Sequence, residues 1–62
     1  SQKDATVPED LSEALAANPR AAESFEGLGK TERYGIILDL ATARTDATRA
    51  ARLRRAVAAL EA

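Results

Sequence analysis

The sequence has no cysteine, no histidine, no tryptophan and no methionine, and its aromatic side chains are one phenylalanine and one tyrosine. Each absence closes off chemistry. Without cysteine there is neither a disulfide nor a thiolate metal site, and without histidine the commonest zinc ligand and the commonest general base are both missing. The remaining nucleophile candidates are serines, threonines and lysines with no adjacent base, and the carboxylates stand on polar helix faces. That inventory points away from an independent enzyme, with no catalytic residue, no metal and no cofactor expected. Long apolar runs are missing as well. The longest run of large apolar side chains is Ile36-Ile37-Leu38, against the roughly 20 residues of a bilayer-crossing helix, and the amino terminus has no apolar core of signal-peptide type.

Sixty-two residues allow one small domain, which buries a low fraction of its surface and has no covalent staple to offset that. The net charge of −1 argues against a general polyanion binder, but the charge is unevenly placed. Residues 1–32 carry three basic against seven acidic side chains, a net of −4, and residues 33–62 carry six arginines against three acids, a net of +3. The two halves either attract one another in the folded chain or form a binding surface.

Residues 1–6 are polar and aperiodic and read as a disordered tail. The single domain covers residues 7–62. Val7-Pro8 opens the first helix, expected over 8–17 with proline at the first helical position and Glu9 and Asp10 in the first turn. Asn18-Pro19 repeats the signal with asparagine as cap, and opens a second helix over 19–28. Gly27 and Gly29 end it. Thr31 is the expected cap of a third helix over 32–43, whose apolar residues cover more than half its circumference, the mark of a central helix touched on both sides. Thr45 or Asp46 caps a fourth helix over 46–61. The fold class is therefore all-α, a compact bundle of about four short helices. Its expected core is Leu11, Leu15, Phe25, Leu28, Tyr34, Ile36, Ile37, Leu38, Leu40, Leu53, Val57 and Leu60, padded with alanine. So thin a core leaves room for a second domain or a dimer contact over part of helix three or four.

The last helix is the most informative segment. At 100° per residue, Ala50, Leu53, Val57 and Leu60 form an apolar seam, while Arg49, Arg52 and Arg55 run down its edge onto the exposed side. With Arg44 and Arg54, these arginines have two readings. In one, their stems cover apolar neighbours and their heads pair with the glutamates of helices one and two. In the other, they meet an anionic partner: an acidic protein surface, nucleic-acid phosphate or lipid head groups. Sequence-specific DNA recognition has little support, because Gln2 and Asn18 are the only amide side chains. Asp39, on the narrow polar strip of helix three, is placed to pair with an arginine of helix four.

Val7-Pro-Glu-Asp-Leu-x-x-Ala-Leu15, Asn18-Pro19 followed by Ala-Ala and Phe25-x-x-Leu28, then Ala43 and Thr48-Arg49-Ala-x-Arg52-Leu53 with Val57 and Leu60, stand in an order and spacing that resemble the bacteriocin-protection, YdeI/OmpD-associated family of bacteria. The third segment departs from the family pattern, with Asp39 where a tryptophan is expected. The resemblance implies a carboxyl-terminal helical region, a role in resistance to bacteriocins or cationic peptides through protein contacts, and no catalytic residues. The expected partner is a protein or another domain of the same protein, with nucleic acid the alternative. The bacterial cytoplasm is the expected place, with envelope association as a second option. The candidate partner-binding residues are Arg49, Arg52, Arg55, Arg44 and Thr48.

Overall fold

The computed structural model describes residues 7–62, so the tail expected over residues 1–6 lies outside the described residues. Four helices follow one another: α1 (Glu9–Ala16), α2 (Pro19–Gly27), α3 (Lys30–Ala41) and α4 (Asp46–Glu61), with no strand among the described residues. The all-α bundle is as the sequence predicts, within 28 × 27 × 18 Å.

The helix starts follow from local chemistry. Pro8 is not the first helical residue but the cap before it, extended at ψ 151°, with its carbonyl accepting from the Ser12 N–H at 2.9 Å. Asn18 caps α2 as expected: its Oδ1 accepts from the Ala21 N–H at 3.2 Å, with Pro19 behind it at the first position. Thr45, rather than Asp46, caps α4 by accepting from the Thr48 N–H at 3.1 Å. The start of α3 departs from expectation. Gly29 is the cap in place of Thr31, and its carbonyl accepts from the Arg33 N–H at 3.0 Å while Glu32 reaches back toward the Gly29 N–H. Glycine ranks with threonine as a cap, so the helix gains two residues by starting earlier. At the other end α3 stops at Ala41, two residues short of the expected 43: the Thr42 N–H makes the last helical bond, to the Leu38 carbonyl at 2.9 Å, and the Ala43 N–H turns to the Leu40 carbonyl three residues back at 3.2 Å.

Leu11, Leu15, Ala21, Phe25, Leu40 and Leu60 form the buried core, with Val7, Ala22, Leu28, Ile36, Ile37, Leu53 and Val57 packed around it. Two expectations fail here. Tyr34 and Leu38 are not core residues but are 58% and 46% exposed, and Ala50 lies outside the seam on the surface. The central helix is α4 rather than α3: α4 packs on α1, α2 and α3, most extensively on α2. Periodicity measures how wide an apolar arc is, not how many neighbours it has, and α4 has the length to touch all three. The Asn18 amide also donates to Glu61 Oε1 at 3.1 Å, tying the start of α2 to the end of α4.

Leu40 is fully buried where α3 meets α4. Leu40→Ala is expected to cost about 2–5 kcal/mol, comparable with the whole stability of so small a domain. Tyr34→Ala should be within about 1 kcal/mol of the parent, since its side chain is mostly in water. Urea denaturation of the three proteins checks both, and equal losses would place Tyr34 back in the core.

Candidate functional site

The arginines of α4 divide into two groups. Arg49 turns inward: its Nε donates to Asp10 Oδ2 at 2.7 Å and its Nη2 to Asp10 Oδ1 at 3.1 Å, the two-pronged match of guanidinium and carboxylate. Its Nη1 donates to the Leu40 carbonyl at 3.2 Å. Arg52, one turn on, donates through Nη1 to the Asp39 carbonyl at 2.8 Å and to Thr42 Oγ1 at 3.3 Å, with the Asp39 carboxylate at 3.5 Å. Both arginines thus sit on carbonyls of the last turn of α3, Arg52 on the Asp39 oxygen and Arg49 on the Leu40 oxygen that the Ala43 N–H also reaches at 3.2 Å, where a cation complements the helix dipole. Arg44, nearer in sequence to that helix end, is exposed, and the role falls to Arg49 and Arg52.

The expected pairing of α4 with α3 through Asp39 is present. The expected pairing with glutamates is not: the carboxylates engaged are Asp10 on α1 and Asp39 on α3, while Glu9, Glu13, Glu23 and Glu26 stay exposed. Asp10 was legible only as a helix-start acid. Its position in the first turn of α1 lets it serve its own helix, through the Leu11 N–H at 2.9 Å, and α4 together.

Of the remaining candidates, Thr48 takes a hydrogen bond from the Thr45 hydroxyl at 3.0 Å, a helix-start contact. Arg55 stands one turn beyond Arg52 on the same flank of α4, with Thr48 one turn before it. Arg44, Arg54 and Arg55 are exposed and form no ion pair among the described residues. The structure therefore brings Thr48, Arg52 and Arg55 into one row and directs Arg49 away from it.

Among the described residues no cluster of carboxylates could hold a metal ion, and no helix is long and apolar enough to cross a membrane. An open groove of about 400 Å³ runs between α1 and α2, lined by Val7, Leu15, Ala22 and Phe25 with Ser12 and Glu26 as its polar members. One hydroxyl and one carboxylate on separate helices do not make an activated nucleophile.

A family model described as bacteriocin-protection, YdeI or OmpD-associated matches residues 4–62. No curated protein and no solved structure matches the chain.

The Arg49–Asp10 pair makes stability depend on acid. The guanidinium's hydrogen bonds are the main influence holding the Asp10 carboxyl below the 3.8 of an unperturbed aspartate, against partial burial, and the Leu11 N–H adds to the shift. The same bonds raise Arg49. A carboxyl that is more acidic in the folded chain stabilises it fully above the unfolded value and stops doing so as pH falls through the folded one. Asp10→Asn is therefore expected to lower the melting temperature at neutral pH. The gap to the parent should close as pH drops below 3.8, and a gap independent of pH would show that the pair is not the cause.

Proposed function

The chain belongs to the bacteriocin-protection, YdeI or OmpD-associated family, and on that premise we propose that it is a non-catalytic module that contacts another protein in resistance to bacteriocins or other antimicrobial peptides. The observation that carries this reading is the division of the arginines. Arg49 and Arg52 are used within the fold, whereas Arg44, Arg54 and Arg55 stay exposed without an ion pair among the described residues. Exposed guanidinium forks retain their capacity for two-pronged bonding to carboxylates, and an acidic protein surface supplies those. Arg52 and Thr48 lie in the row with Arg55 and border the contact; Arg49 supports it from beneath by fixing α4.

Nucleic acid fits less well. The chain is net acidic, and the glutamates of α1 and α2 remain exposed beside the basic helix. The functional test is survival of bacteria that express the protein under bacteriocin challenge. Reversing Arg44, Arg54 and Arg55 to glutamate should leave helicity intact and remove most of the protection, while undiminished protection would overturn the proposal. Titration into duplex DNA at two salt concentrations should show no tight binding. Binding whose logarithm falls steeply with the logarithm of salt would put phosphate contacts in its place.

A further inference from the structure

The open groove between α1 and α2 has an apolar lining and two acidic edges. On α1 the side chains that face it are Ser12, Leu15 and Ala16. At 100° per residue Glu9 and Glu13 come next round that helix, Glu9 lying about 20° beyond Ala16. On α2 Ala22, Phe25 and Glu26 face the groove, and Glu23 stands one turn before Glu26 on the outer side. All four glutamates are exposed, and none forms an ion pair among the described residues. Asp10, the acid of α1 that is paired, is on the opposite flank of the helix, against Arg49 of α4. Neither helix supplies a cation to offset the two edges: α1 has no basic residue, and Arg20 of α2 stands about 160° round the helix from Ala22.

Two rims of carboxylates repel an acidic partner and attract a basic one. The apolar lining between them adds a second requirement, since a chain bearing cations alone would leave it in water. At about 400 Å³ the groove lies toward the small end of ligand sites, with room for a few apolar side chains rather than a large body. Helices of eight and nine residues are about 12–14 Å long, the length of two to three turns of a partner helix. We infer that the α1–α2 groove is a docking site for a basic amphipathic helix of another protein. Its apolar side chains seat over Ala22 and Phe25, and its lysines or arginines reach Glu9 and Glu13 on one rim and Glu23 and Glu26 on the other. A second copy of the chain does not offer such a helix, because the apolar seam of its own basic helix, Leu53, Val57 and Leu60 of α4, is already packed into its core. The groove makes no use of Arg44, Arg54 or Arg55, so this inference stands or falls apart from the protein contact proposed above.

The probe is a synthetic peptide about 14 residues long with leucine and lysine at helical spacing, titrated into the isotope-labelled chain while its amide resonances are followed. The shifts are expected to concentrate in residues 7–16 and 22–27, with a dissociation constant of about 100 μM or tighter at low salt. Replacing the leucines of the peptide by alanine keeps its charge and should weaken binding at least about tenfold. Changing Glu9, Glu13, Glu23 and Glu26 together to glutamine should do the same. So should Ser12→Arg, which keeps all four carboxylates and places a cation in the mouth of the groove. The amide spectrum of each variant shows that its fold is retained. No shift up to about 1 mM peptide would overturn the inference, as would shifts centred on other helices. An alanine peptide that binds as tightly as the leucine one, or a Ser12→Arg chain that binds like the parent, would overturn it too, leaving a diffuse attraction of charges in place of a groove.

Discussion

Everything in this fold depends on one guanidinium. Arg49 projects from the middle helix of the bundle, grips the Asp10 carboxylate with two donors and gives a third to the Leu40 carbonyl, so that α1, α3 and α4 meet at a single planar group. A lysine in its place has the charge but not the fork, and could not meet a carboxylate in two prongs while also reaching a carbonyl in a fixed direction. Both members of the pair keep about a third of their surface in water, at 34% and 37% exposure, so the contact contributes more to geometry than to the free energy of folding. Its effect is directional. The buried core is four leucines, an alanine and a phenylalanine, apolar groups that exclude water in many relative arrangements, and the fork selects one.

The same contact explains how the arginine-rich helix can be both framework and surface. Arg49 and Arg52 cap the carboxyl end of α3, taking the Leu40 and Asp39 carbonyls, and Thr42 takes the Leu38 carbonyl. Leu38 keeps its helical bond from the Thr42 N–H and Leu40 takes a tightened one from the Ala43 N–H, so the Asp39 carbonyl is the one for which side chains stand in place of a backbone donor. With two arginines committed there, the basic character left to the outside comes from Arg44, Arg54 and Arg55. The proposed contact with another protein needs a stable shape and an accessible surface, and α4 supplies both with one residue type.

Much of this is legible in the sequence. Asn18-Pro19 and Thr45 announce helix starts because a side-chain oxygen placed before the first turn has one favourable use, and the structure puts each to that use. The pairing of Asp39 with α4 was legible because Asp39 stands on the narrow polar strip of α3 and the next helix is the one rich in arginine. What could not be read was which arginine does what. Arg49, Arg52 and Arg55 lie on one edge of one helix, and only the placement of α1 brings Asp10, 39 residues away in sequence, to the first of them. The exposure of Tyr34 and Leu38 escaped for a related reason: an apolar arc wider than its neighbours can cover has the same periodicity as one that is fully buried.

The alanines of α4 link these points. Ala51 and Ala56 are half-buried along the helix that all three others touch, and short side chains there let helices pack closely at small cost in area. Close approach comes with little apolar surface removed from water, so the buried core is six residues in all and the larger apolar groups of α3 are only partly used. A chain built on leucines in those positions would hold its helices farther apart, with more area buried and nothing left over on α3. The thin core and the exposure of Tyr34 and Leu38 are thus one feature seen from two sides. The choice of a small-residue central helix, fixed in direction by Arg49, leaves apolar side chains of α3 in water on one side of the bundle and a cationic edge on another, two surfaces of different chemistry.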